Sequence, residues 1–148
     1  MPTFRIRESL DVYAPRQAAG ALAKQLGFRS SECAELAIVV SELCSNIVKY
    51  GIRGSIALEP IEDPVHGLGL AIVAYDVGPP FHDFSTALQD GCDDRGPIDP
   101  CALMRRGGLG IGLGAVARLS HSLNVETASD GKYIRVVRYV TAPRGKRS

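Results

Sequence analysis

The stretch from Ser30 to Tyr50 limits most severely what this chain can fold into. Ser30-Ser31-Glu32 reads as a helix start, a capping hydroxyl followed by an acid in the first turn, and Gly51 as the C-terminal cap. Leu36, Val40, Leu43, Ile47 and Tyr50 recur at helical spacing, and Ala34, Ala37, Ile38, Ser41 and Val48 widen that apolar surface. A helix apolar around so much of its circumference must be covered on several sides. One polar stripe remains, Glu35, Glu42, Asn46 and Lys49, in which Glu42 and Asn46 share a face because they are a helical turn apart. On a surface helix such a pair is a solvated edge; on this one the stripe faces a cleft between packed layers.

Leu68 to Tyr75 is a nearly continuous apolar run of the length of a buried central strand. It stops abruptly at Asp76-Val77-Gly78-Pro79-Pro80, where a rigid sheet can deliver an acid to a site, although Asp is also an ordinary turn starter. Ser55 to Ile61 reads as the preceding strand. Leu123–Ala128 and Tyr133–Val140 read as a hairpin across Ser129-Asp130-Gly131-Lys132. At the front, Phe4 to Val12 alternates loosely as a strand, and Pro15 opens a helix to about Leu26. Hairpin-dominated strands beneath helices give an α+β, two-layer α/β sandwich with a mixed, mostly antiparallel sheet and its helices on one face. At 148 residues the chain is expected to form one domain, with 141–148 as a basic tail.

A second constraint is Gly107-Gly108-Leu109-Gly110-Ile111-Gly112-Leu113-Gly114, which runs into the helical Ala115-Val116-Ala117-Arg118-Leu119. Apolar residues between the glycines make this a packed segment, unlike a Ser-rich linker. Free amides and a positive helix end converge there, the physical recipe for a phosphate site, and Arg105-Arg106 beside it are suitable donors. A tight turn before a packed helix is the competing explanation. No Gly-Lys-Ser/Thr ending makes it a Walker A loop. Gly110 to Ala115 fits G-x-G-x-x-A, but no strand precedes it, which disfavours a nicotinamide oxidoreductase. Residues 81–106 lack periodicity and read as a lid or binding loop.

A net charge of +1 leaves no basic footprint for nucleic acid, and no apolar run is long enough to span a membrane. Cys33, Cys44, Cys92 and Cys101 form no C-x-x-C pair, and with no signal-peptide core the expected compartment is a reducing cytoplasm. His66, His82 and His121 have no metal-ligand spacing.

With these residues in hand the chain resembles the GHKL ATPase superfamily, which contains gyrase, Hsp90, histidine kinases and MutL. In that family an Asn-bearing helix, an Asp-x-Gly box and a Gly-x-Gly box line one ATP pocket. Glu42-Leu43-Cys44-Ser45-Asn46 looks like the first, Asp76-Val77-Gly78-Pro79-Pro80 the second and Gly108-Leu109-Gly110-Ile111-Gly112 the third, within roughly residues 31–140. The short chain is similar in particular to bacterial anti-sigma serine/threonine kinases and stressosome switch kinases, which implies the Bergerat ATP-binding fold. Carried over, the resemblance makes Glu42 the general base, Asn46 the holder of Mg²⁺ and Asp76 the acceptor for the adenine amine. Gly78 would let adenine approach, Arg106 would meet the γ-phosphate, and Gly108, Leu109, Gly110, Ile111 and Gly112 would cradle phosphate.

The implied activity is ATP-dependent phosphorylation of a Ser or Thr on a STAS-domain antagonist, in a sigma-factor partner-switching pathway. A sigma factor or a PP2C-type phosphatase are further partners the resemblance brings in, and a homodimer is an available assembly. The alternative is a non-catalytic nucleotide-binding module that regulates a sigma factor or phosphatase by docking. Two positions depart from the family pattern: Pro80 stands where the second box ends in Gly, and Lys132 where a Thr follows the hairpin glycine.

Overall fold

The computed structural model describes residues 1–50, 53–77 and 112–141, with the backbone alone given at Tyr50, 92–93 and 96–97. Strand β1 (Thr3–Ile6) leads through a 3₁₀ turn (Ser9–Val12) into helices α1 (Tyr13–Leu26) and α2 (Ser30–Tyr50). Strands β2 (Gly54–Asp63) and β3 (Gly67–Asp76) follow, then the two-residue strands β4 (Cys92–Asp93) and β5 (Gly96–Pro97). Helix α3 (Gly112–Arg118) and strands β6 (Ser122–Ala128) and β7 (Gly131–Tyr139) complete the order.

The main sheet runs β1-β2-β3-β7-β6 with every pairing antiparallel. Its register puts Ile6, Ile56, Ala74 and Ile134 on one face. These residues join Leu36, Val39, Val40, Leu43 and Ile47 of α2 and Ala19 and Ala23 of α1 in a single core. This is the expected two-layer sandwich: α1 and α2 pack on each other and on the sheet, and β3 is the apolar central strand.

Three local boundaries differ from the pattern-based expectation, each for a local reason. The loose alternation of Phe4 to Val12 breaks after Ile6, because the Asp11 carboxylate accepts the backbone N–H of Arg7 (2.7 Å) and Glu8 (3.0 Å) and closes a turn. Helix α2 begins at Ser30 itself, so its cap is made by Glu32, which reaches back to the Arg29 N–H (2.8 Å). In the last hairpin the strands run in to Ala128 and Gly131, leaving Ser129-Asp130 as the turn. A Cβ on Gly131 would lie 2.5 Å from the Asp76 carbonyl oxygen, so only glycine lets β7 start this close to the end of β3.

Candidate functional site

Two anchors fix how α2 lies over the sheet. Near its N-terminus, Arg138 of β7 donates to Glu35 (3.1 Å) and lies 3.6 Å from Glu32. Toward its C-terminus, Ile47 packs where Gly54 has no side chain, beside the Tyr75 backbone. Helix α2 and strand β3 therefore run the same way, and the half of α2 carrying Glu42 and Asn46 lies toward the end of β3 that carries Asp76.

Polar groups are buried at this end. Glu42 is 5% exposed, Asn46 7%, Asp76 3% and Lys132 3%, with Ser45 at 9%. Buried polar and charged groups are rare unless satisfied or functional, and here Glu42, Ser45 and Asn46 lie on α2 and Asp76 and Lys132 on the sheet it covers. Asp76 and Lys132 are direct partners in the β3–β7 ladder, and Lys132 Nζ lies 3.8 Å from Asp76 Oδ1. An open recess of about 360 Å³ between Val77, Thr127 and Lys132 adjoins them.

The polar stripe expected on α2 divides. Glu42 and Asn46 are buried, whereas Lys49 is exposed and Glu35 is drawn into the ion pair with Arg138. Glu32, absent from that stripe, is the other buried acid of the helix. Burial pushes its pKa up, but bonds from Arg29 and the charges of Arg29 and Arg138 more than offset this and hold it below the usual carboxylate range. Arg138 also reaches the Leu119 carbonyl at 3.4 Å, tying the end of α3 into the same network. This cluster is a brace, distant from Asp76 along β3.

Gly112 begins α3 with a left-handed φ of 61°, and residues Gly112 to Val116 are buried against α2. Gly78, Arg106, Gly108, Leu109, Gly110 and Ile111 lie outside the described residues, as does the proposed lid except for the pairing of 92–93 with 96–97. Cys44 packs in the core, where burial pushes its thiol up to about 12. His66 bonds Asp63 and stacks on Tyr139, and His121 accepts from the Tyr139 N–H, so both are engaged locally.

The donor set suits a nucleotide with its metal. A carboxylate acceptor sits at a strand end, and a helix face a turn long offers one carboxylate and one amide. Among the described residues no group of three or more His, Cys, Asp or Glu could hold a metal alone. A hard cation at Asn46 would thus take most of its oxygens from phosphate and water, as Mg²⁺ does. Lys132 is a buried charge at this end of the sheet to which pattern reading assigned no role; the signal was its place after the hairpin glycine, opposite Asp76 once the register is known.

The chain matches the model of the histidine kinase-like ATPase domain over residues 8–138. It is 32% identical over 137 residues to a serine/threonine-protein kinase, RsbT, of Bacillus subtilis, covering 92% of this chain and 94% of that one. Among solved structures it resembles the SiaB–SiaC complex from Pseudomonas aeruginosa, with a TM-score of 0.59, 18% identity, and 93% and 89% of the two chains covered. It also resembles the RsbU and RsbW domains of a Mycobacterium tuberculosis protein, with a TM-score of 0.53, 14% identity, and 97% of this chain against 34% of that one. With a family model spanning most of its length and a relative alike nearly from end to end, the chain belongs to the histidine kinase-like ATPase domain family.

Proposed function

We propose that this protein is an ATP-dependent protein serine/threonine kinase that phosphorylates a STAS-type antagonist in a partner-switching pathway controlling a sigma factor. The observation that carries this reading is the buried Glu42/Asn46 pair on α2, set toward the strand end that carries Asp76. It occurs in a chain 32% identical to a serine/threonine kinase over 92% of its length. Two solved likenesses contain partner proteins or domains, which supports a role in protein–protein switching.

Bound Mg-ATP would supply the phosphoryl group and a metal that neutralises charge on it. Asp76 accepts the exocyclic amine of adenine, and Gly78 leaves room for the ring. Asn46 would hold the metal. The amides of Gly108, Leu109, Gly110, Ile111 and Gly112, with Arg106, take the phosphate oxygens. Glu42 removes the proton from the acceptor's Ser or Thr hydroxyl as that oxygen bonds to the γ-phosphorus and the bond to ADP breaks. Among the described residues no helix is long and apolar enough to cross a membrane, and the site of action is taken as the cytoplasm. The second reading, nucleotide binding and docking without transfer, draws its support from Lys132, a charged residue standing against Asp76.

Labelled ATP mixed with the protein and candidate STAS-type partners tests the proposal. Transfer by the wild type, lost in Glu42→Gln with docking retained, is the expected result. Stable docking without transfer by the wild type across several candidates would favour the docking module, and absence of any nucleotide binding by calorimetry would overturn both readings.

A further inference from the structure

The face of the sheet turned away from α2 carries a basic recess at its β1 edge. Arg5, Ser55 and Tyr75 are successive cross-strand partners, and their neighbours Ile6, Ile56 and Ala74 point into the core, so these three side chains stand on the outer face. With Thr3, Arg7 and Arg53 they line an open recess of about 620 Å³. Its floor is held firmly: the Tyr75 hydroxyl donates to the Asp130 carbonyl oxygen (2.6 Å), and its ring lies against that of Tyr133. Its rim is three exposed arginines. Arg29 and Arg138 are paired with Glu32 and Glu35, but among the described residues no ion pair or side-chain hydrogen bond engages Arg5, Arg7 or Arg53. Asp11 lies within reach of the Arg7 charge, yet its carboxylate is taken up by the backbone N–H groups of Arg7 and Glu8. Arg53 is also the one non-glycine residue among those described with a left-handed φ, 51°, an unfavourable conformation that is often kept where a side chain has to be aimed.

The recess borders a free sheet edge. The Leu58 N–H donates to the Pro2 carbonyl oxygen (2.9 Å), so Pro2, Phe4 and Ile6 are the positions that bond to β2. Thr3 and Arg5 therefore turn their backbone N–H and C=O groups away from β2, and among the described residues no backbone bond takes them up. We propose that this edge takes an extended acidic segment of a partner protein as an added strand, whose carboxylates on the outer face meet Arg5, Arg7 and Arg53. In strand addition the main chain supplies the bonds and alternate side chains supply the selectivity. Guanidinium groups hold carboxylates by paired N–H bonds, which a lysine cannot offer. A second copy of this chain is a poorer occupant, because β1 against β1 would bring two sets of three arginines together. A membrane or a nucleic acid is poorer too, since surfaces for those spread more positive charge and the whole chain carries only +1.

The test uses the full chain and a labelled peptide of about eight residues in which Glu alternates with Thr, read by fluorescence anisotropy. The wild type should bind it, more weakly as salt rises, and should not bind the same peptide with Lys in place of Glu. Methylating one alternate set of the peptide's backbone amides should abolish binding and methylating the other set should spare it, because only one edge of the peptide faces β1. The paired change Arg5→Glu with Arg53→Glu should weaken binding roughly 10- to 100-fold, since two exposed ion pairs are exchanged for two repulsions. Both residues are exposed, and an unchanged melting transition shows that the variant is folded. Equal binding of the Glu and Lys peptides by the wild type, or binding of neither, overturns the proposal without any variant. Loss of binding on methylating either set, or on methylating neither, overturns strand addition. Tighter binding of phosphatidylserine vesicles or of oligothymidylate, lost in the same variant, overturns the assignment to an acidic protein segment, and so does a dimer in sedimentation that the variant dissolves. None of these results depends on phosphoryl transfer, so this proposal and the kinase assignment fail separately.

Discussion

Replacing Asp76 by Asn keeps the shape of the side chain and removes the negative charge beside a lysine that is almost wholly buried. At 3.8 Å and an effective dielectric constant near 20, the lost attraction is about 4 kcal/mol. Breaking a buried pair by removing one partner costs about 3–5 kcal/mol in general, because the surviving charge stays desolvated. Lys132→Met removes the other partner and should cost a similar amount. The double variant removes both charges and leaves neither one unpaired, so it should lie within roughly 1–2 kcal/mol of the wild type. The four proteins therefore form a cycle with a coupling energy of at least about 4 kcal/mol, the sum of the two single costs less that of the double variant. Urea unfolding read by circular dichroism measures it, with the slope checked for constancy so that midpoints report stability. A domain of this class has roughly 5–15 kcal/mol in hand, which leaves the single variants measurable. Additive single costs, with coupling below about 0.5 kcal/mol, would refute the claim that these two groups are energetically one unit.

Glu42→Gln should slow phosphoryl transfer by roughly 10²–10⁴-fold while ATP affinity stays nearly constant, measured by quench flow beside calorimetry. Arg138→Met removes bonds to Glu35 and to the Leu119 carbonyl and a charge near Glu32, and should cost about 2 kcal/mol, a shift of roughly 4–8 °C in melting temperature. Because the folded pKa of Glu32 lies below its unfolded value of about 4.3, its stabilising contribution is full above that pH and fades as pH falls through the folded value. The stability gap between wild type and Glu32→Gln should therefore be present at pH 7 and close on acidification; a gap that widens in acid would contradict the assignment. Cys44, with its thiol pushed up to about 12, should resist alkylation in the native protein at neutral pH and react once urea unfolds it, read by mass spectrometry. Gly54→Ala should cost about 1–3 kcal/mol, because the added methyl meets Ile47 and, at 3.2 Å, the Tyr75 carbonyl oxygen.

The parts of the fold that announce themselves are those whose local pattern already contains the answer. Helix α2 is written in the spacing of Leu36, Val40, Leu43 and Ile47, all buried, and β3 in the unbroken run that ends at Asp76. The burial of Glu42 and Asn46 follows from the same logic: a polar pair on a helix with little solvent to face must look into a gap. Other features depend on which residues meet across the sheet. Nothing in the neighbourhood of Lys132 or of Arg138 predicts that one faces Asp76 and the other Glu35, because those meetings are set by strand register and by the direction of α2. The short β1 departs from its pattern for the opposite reason, a purely local bond: the Asp11 carboxylate accepts from the Arg7 N–H, closes a turn after Ile6 and overrides a weak alternation. The phosphate-binding assignment of Gly108 to Ile111 rests on sequence, since these residues lie outside those described.

Helix α2 carries Leu43 and Ile47 for the core and the proposed site residues Glu42 and Asn46 on immediately adjacent positions, all four nearly closed to solvent. Burying a carboxylate and an amide there has no advantage for folding, since well-packed apolar side chains at such places are often as good or better. A library of this protein selected in the laboratory only for heat resistance should therefore accumulate Leu, Met or Ala at positions 42 and 46 ahead of exposed sites such as Lys49. Kinase activity would disappear from that population while its fold and docking surfaces survived. A scaffold arranged this way has a short mutational path from enzyme to pure binding protein, and one that runs downhill in stability terms.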